Sequence, residues 1–149
     1  MNAMTQRLGL VAAAAVLILG CGASWAAKAP MSKEGLEKQA RHIVFGKIIS
    51  VTSKVEKPVL GGGPLDRDRV YRIIVKVMEV KKGEGIKVGD DIEVRAWTIH
   101  RRVPMTPGLQ GHEGIPKNGD TATFYLPAKT GEVYVPLYPN GMAVEKAGS

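Results

Sequence analysis

The chain has 149 residues and one cysteine, and 21 basic against 14 acidic side chains give it a net charge of +7. A single cysteine rules out an internal disulfide framework, so stability must come from a packed core. Aromatic residues, at 5% of the chain, are too few for the stacking platform on which single-stranded nucleic acid is held.

The first segment, MNAMTQRLGLVAAAAVLILGCGASWAAKAP, has the order of an export signal. Arg7 and the terminal amine supply the positive start, and Leu8 to Leu19 supply an uncharged apolar run too short to cross a bilayer. Two endings compete. Ser24-Trp25-Ala26 presents small residues for cleavage before Ala27. Ile18-Leu19-Gly20-Cys21 has the form of a bacterial lipobox, in which Cys21 would be lipidated and become the new N-terminus. The expected organisation is therefore a signal over 1–26, a tether and short helix over 27–41, and one domain over 42–147. About 120 residues remain after the signal, enough for one small domain and short for two.

SKEGLEKQARH predicts the one helix of the exported part, with Ser32 as its N-cap and Glu34 in the first turn, where the helix dipole favours an acid. Leu36 and Ala40 fall four apart on one face, and Gly35 limits the helix to two or three turns. Everything after His42 reads as strand and turn. HIVFGKIISV is rich in β-branched and aromatic residues, with Gly46 marking a bend, a bulge or a close backbone approach. KVEKPVLGGGPLDRDR reads as a loop. VYRIIVKVMEV alternates, with Tyr71, Ile73, Val75 and Val77 on one face and Arg72 and Lys76 on the other. DIEVRAWTI places Ile92, Val94 and Ala96 against Glu93, Arg95 and Trp97. TATFYL and EVYVPLY predict two further strands, the second with Val133, Val135 and Leu137 inward. Pro139 to Gly141 form a turn before a short final strand, MAVEK. KVGDDIEV and KNGDTATF share Lys-x-Gly-Asp before a strand, where the glycine takes a positive φ and the aspartate bonds its own turn.

Five strands or slightly more, joined by Gly-rich connections, must hide an apolar face and two edges. The expected fold is all-β: a small, partly open five-stranded OB-like barrel with one short N-terminal helix, and a compact β-sandwich as the alternative.

The stretch WTIHRRVPMTPGLQGHEGIPKNGD, Trp97 to Asp120, is long for a structureless connection, and such loops commonly carry function. Trp97, Arg101 and Arg102 are a constellation for stacking on a sugar and holding an anion. His100, His112 and Glu113, with Met105 between, carry ligand chemistry for zinc or copper, but at a spacing that diagnoses neither. Serines after the signal are few, and none sits in a nucleophile turn. No Gly-x-Ser-x-Gly or His-Glu-x-x-His occurs, and GGGP does not open a helix as a nucleotide loop does.

ARHIVFGKIISV, YRIIVKVMEVKKGEGIKVGDDIEVR and GDTATFYL together resemble the TIMP-like, netrin-like branch of OB folds, over about two-thirds of the exported chain. That branch has an early V-x-G-K-V strand, then a strand ending in E-V-x-K-G, then G-D-x-I-x-V. The resemblance implies an OB-type barrel. The inhibitors in that group use a cysteine-rich N-terminus that this chain lacks, so their inhibitory residues have no positions here. VPLYPNGMAVEK resembles the tail of small secreted bacterial proteins of unknown function.

These features converge on one expectation: an exported, non-enzymatic binding module, periplasmic, secreted or lipid-anchored through Cys21. It would recognise a protein or an anionic polymer at the envelope, with no cofactor and no nucleic-acid partner. The candidate contact residues are Trp97, His100, Arg101, Arg102 and His112. A periplasmic metal-binding protein using the His100–Glu113 loop and a structural domain with no ligand site are the alternatives.

Overall fold

A computed structural model describes residues 28–58, 60–105 and 110–145. The export signal, the Ala26 and Cys21 endings and the last residues of the predicted domain lie outside the described residues.

Helix α1 spans Lys33–Gln39, and the Ser32 side chain caps it by accepting the Gly35 N–H at 3.1 Å. Leu36 and Ala40 pack with Ile43 and Tyr125 in a small satellite cluster that also takes in Met31 and Leu137. Five strands follow: β1 (His42–Glu56), β2 (Arg67–Lys82), β3 (Asp91–Arg101), β4 (Thr121–Leu126) and β5 (Met142–Glu145). They form one antiparallel sheet in the order β3-β2-β1-β4-β5. The all-β class and the short helix are as expected. Among the described residues the sheet does not close by strand pairing into a barrel, β3 and β5 being its two edges, and no second sheet packs on it as in a sandwich.

The concave face holds the main core. Val44, Ile48, Ile73, Val75, Val77, Val94, Phe124 and Leu126 are almost fully buried there, with Met142 from β5. Gly46 combines two of its predicted roles. The β1–β2 register shifts between Phe45 and Gly46, and a Cβ at Gly46 would lie 2.5 Å from Val75 Cγ1 and 2.6 Å from the Lys76 carbonyl oxygen. The two Lys-x-Gly-Asp turns are built alike. The Asp90 carboxylate accepts the Lys87 N–H at 2.9 Å and the Asp120 carboxylate accepts the Lys117 N–H at 2.8 Å, while Gly89 and Gly119 take φ values of 91° and 87°.

Two elements differ from the sequence expectation. The loop predicted from Lys54 to Arg69 is shorter, because β1 and β2 run on past the core as a hairpin pairing Lys54 with Val70 and Glu56 with Asp68. Their side chains there are mixed in charge and lack the apolar alternation that marks a half-buried strand. The segment Glu132–Tyr138 is not a strand. Pro136 has no N–H for a ladder, and the segment touches the sheet through a single bridge, Val94 with Tyr134, while Thr130 and Val133 bridge only to each other across a local turn. Tyr134 packs against the core, while Val135 is turned outward and exposed.

Candidate functional site

The described part of the Trp97–Asp120 stretch, 97–105 and 110–120, is built around the edge of β3. Trp97 is on the face opposite Val94 and Ala96, yet it is only 6% exposed. Tyr138 stacks on its ring, with centroids 6.0 Å apart and planes 6° from parallel, and His112 meets both rings edge-on. The backbone completes the cover. The His112 N–H donates to the Trp97 carbonyl at 2.7 Å, and Thr98 bridges to Gly111. One residue pair further along, the Arg95 N–H donates to the Tyr134 carbonyl at 2.8 Å and the Tyr134 N–H to the Glu93 carbonyl at 3.0 Å. Two loop segments therefore satisfy backbone groups of β3 that an open sheet would leave to solvent or to another chain.

His112 ties these segments together. Its Nδ1 accepts the Trp97 N–H at 3.2 Å, which leaves Nε2 to donate to the Pro136 carbonyl, also at 3.2 Å. That arrangement requires the neutral ring. Burial pushes the imidazole below its ordinary range, against the opposing pull of the Pro136 carbonyl.

Arg102 is also spoken for. Its guanidinium pairs with the fully buried Asp68 and donates to the Arg67 carbonyl at 3.0 Å. Beside it, the Asp66 carboxylate accepts the Val103 N–H at 2.8 Å and the Gly63 N–H at 2.9 Å, which hold it below the usual carboxylate range. His100 and Arg101 remain exposed; His100 Nδ1 lies 3.4 Å from the Arg69 guanidinium. Both line a hollow of about 340 Å³ with Ile99, Met105 and Gln110.

The predicted contact set is thus divided. Trp97, His112 and Arg102 are internal, and His100 and Arg101 are at the surface. His100, His112 and Glu113 are not brought together, and among the described residues no three His, Cys, Asp or Glu side chains gather where they could hold a metal ion. Among the described residues no helix is long and apolar enough to cross a membrane.

The convex face of β1, β2 and β3 carries a site that was not singled out from the sequence. Arg72 and Arg95 are directly opposed across the β2–β3 ladder. Each donates its Nε–H to a different oxygen of Glu93, at 2.8 Å and 3.1 Å, and the side chains stay 58% and 53% exposed. The Arg72 hydrogen bond, then that of Arg95, holds Glu93 below the usual carboxylate range against the effect of desolvation. These two arginines line a hollow of about 140 Å³ with Thr52, Lys54, Glu56 and Val70. Alternation placed Arg72, Glu93 and Arg95 outward; only the strand register aligns them.

Comparisons of the chain with protein-family models, with curated proteins and with solved structures returned no match.

Proposed function

We propose that the chain is an exported, non-enzymatic binding module that holds an anionic polymer of the cell envelope against the convex face of β1, β2 and β3. The observation that carries this reading is the Arg72–Glu93–Arg95 arrangement. Like charges directly opposite one another in a ladder repel. One carboxylate offsets one of the two, and it fixes both guanidinium planes by their Nε while the forks face solvent. An anion entering beside Lys54 meets oriented, planar donors with one uncompensated charge, the geometry that favours carboxylate and phosphate. The resemblance to OB-like domains belongs to the same proposal, and the open five-stranded sheet is compatible with it.

The test is binding of the processed protein to alginate and to polyphosphate at two salt concentrations. Arg72→Gln and Arg95→Gln should each weaken binding about 10- to 100-fold, the range of one charge-assisted hydrogen bond, and higher salt should weaken it further. Glu93→Gln should tighten it, because the offsetting charge is gone. A weaker Glu93→Gln variant, or a parent that retains neither polymer, would reject the polymer reading in favour of a protein partner.

A further inference from the structure

One end of the molecule differs from the rest of its surface. Residues 57–58 and 60–66, beyond the β1–β2 hairpin, and the chain leaving β3 at 102–105 meet there. Buried carboxylates fasten them: Asp66 bonds Gly63 in one loop and Val103 in the other, while Arg102 reaches back to Asp68 and to the Arg67 carbonyl. The fastening is tight enough that a Cβ on Gly62 would lie 2.7 Å from Pro58 and 2.8 Å from Asp66 Oδ2.

On these pinned loops, four large apolar side chains face outward. Leu60 is 62% exposed, Leu65 51%, Val103 42% and Met105 92%. Polar loops would be the expectation for a surface that meets only water. The charge around them is one-sided. Lys57, Arg67, Arg69 and Arg101 stand against Glu56, while Asp66 and the Arg102–Asp68 pair are engaged within the fold.

We propose that this end of the molecule docks on an anionic lipid bilayer. Leu60, Leu65 and Met105 enter the headgroup–acyl boundary, and Lys57, Arg67 and Arg101 meet lipid phosphates. Apolar side chains presented within a basic surround are the chemistry that an anionic interface rewards, since apolar area and electrostatic attraction add. A soluble polyanion would engage the cations alone and leave the apolar tips in water. Because the loops are already fastened, little ordering entropy is lost on docking. The inference does not rest on the polymer reading, which uses the convex face, and it needs no lipid at Cys21.

The experiment places one environment-sensitive fluorophore in the chain from Ala27 onward, which carries no cysteine of its own. The label is attached through Met105→Cys, through Leu60→Cys or, at the opposite end of β2 and β3, through Val88→Cys. Vesicles of phosphatidylglycerol and phosphatidylcholine, with and without brominated acyl chains, are then added. Blue-shifted emission and bromine quenching at 105 and 60, absent at 88 and absent with pure phosphatidylcholine, are the expected result. Quenching equal at all three positions, no quenching at 105 and 60, or equal response to uncharged vesicles would overturn it. Leu65→Ser in the labelled chain should lower vesicle affinity about 5- to 20-fold, as loss of one buried aliphatic side chain implies, while leaving alginate and polyphosphate binding unchanged. The two proposals therefore fail separately.

Discussion

At the scale of the residue, His112 does what neither a ligand-binding nor a metal-binding histidine does: both ring nitrogens are used within the fold. Replacing it leaves a buried backbone N–H and a buried carbonyl without their partner, each worth about 1–3 kcal/mol. His112→Phe should therefore lower unfolding free energy at pH 8 by about 2–4 kcal/mol, read from denaturant titration with an unchanged slope. The ring also sets a pH dependence. Its folded-state pKa is depressed by burial, as is that of His42, where burial and then Arg41 act in the same direction. Between the ordinary histidine value of about 6.5 and the lower folded values, the unfolded chain binds protons that the folded chain refuses. Stability should be full above that range and decline as pH falls through it. The decline should be shallower in His112→Phe, and a slope identical to the parent would contradict the assignment. Asp66 and Glu93 act lower on the scale: their depressed carboxylates contribute above the ordinary carboxylate range and are lost as pH falls through their folded values. Sequence inspection placed His112 among the candidate contact residues and had no means of distinguishing an aimed imidazole from a packed one, because Pro136 lies 24 residues away.

Among the elements, β3 decides how the molecule ends its sheet. Its free edge is covered by Tyr134 in one place and by Gly111 and His112 in another. Gly111 is fitted to that cover, with φ at 95° and a would-be Cβ 2.6 Å from both the Thr98 Cα and the Trp97 carbonyl oxygen. Gly111→Ala should destabilise by about 1–3 kcal/mol and should raise hydrogen exchange at the His112 amide well before it does so at the Val75 amide in the core. Substituting residues 100–118 with a short Gly/Ser turn uncovers Trp97 and the β3 backbone together. That variant should show concentration-dependent association by light scattering, as an exposed edge strand does, whatever its effect on ligand. Turns and the helix cap were readable beforehand because their causes are local: Lys-x-Gly-Asp closes on itself in both copies, and Ser32 caps the helix it precedes. The reach of β1 and β2 past the core was not readable, since cross-strand pairing holds Lys54–Glu56 extended without any apolar periodicity of its own.

For the molecule as a whole, charge and apolar exposure are unevenly placed. The convex face offers Arg72, Arg95 and Lys54, and the 57–66 and 102–105 loops offer apolar side chains amid basic ones. Polymer retention on the first should fall steeply between low and physiological salt, while vesicle docking through the second should keep a salt-resistant remainder from its apolar contacts. Measuring both over one salt series separates the surfaces without any mutation, and two parallel curves would argue for a single shared site.

Composition, alternation and turn residues were sufficient to determine an all-β domain with one capped helix, no internal disulfide and an excess of positive charge. These follow from local chemistry: strand period, φ preference and residue count. That Tyr138 and His112 cover Trp97, that Arg102 meets a buried Asp68, that Arg72 opposes Arg95, and that the sheet stays open with loops along its edge were decided only in three dimensions. Each depends on register or on contacts between residues far apart in the chain, and a one-residue change of register would have placed the same side chains on the opposite face.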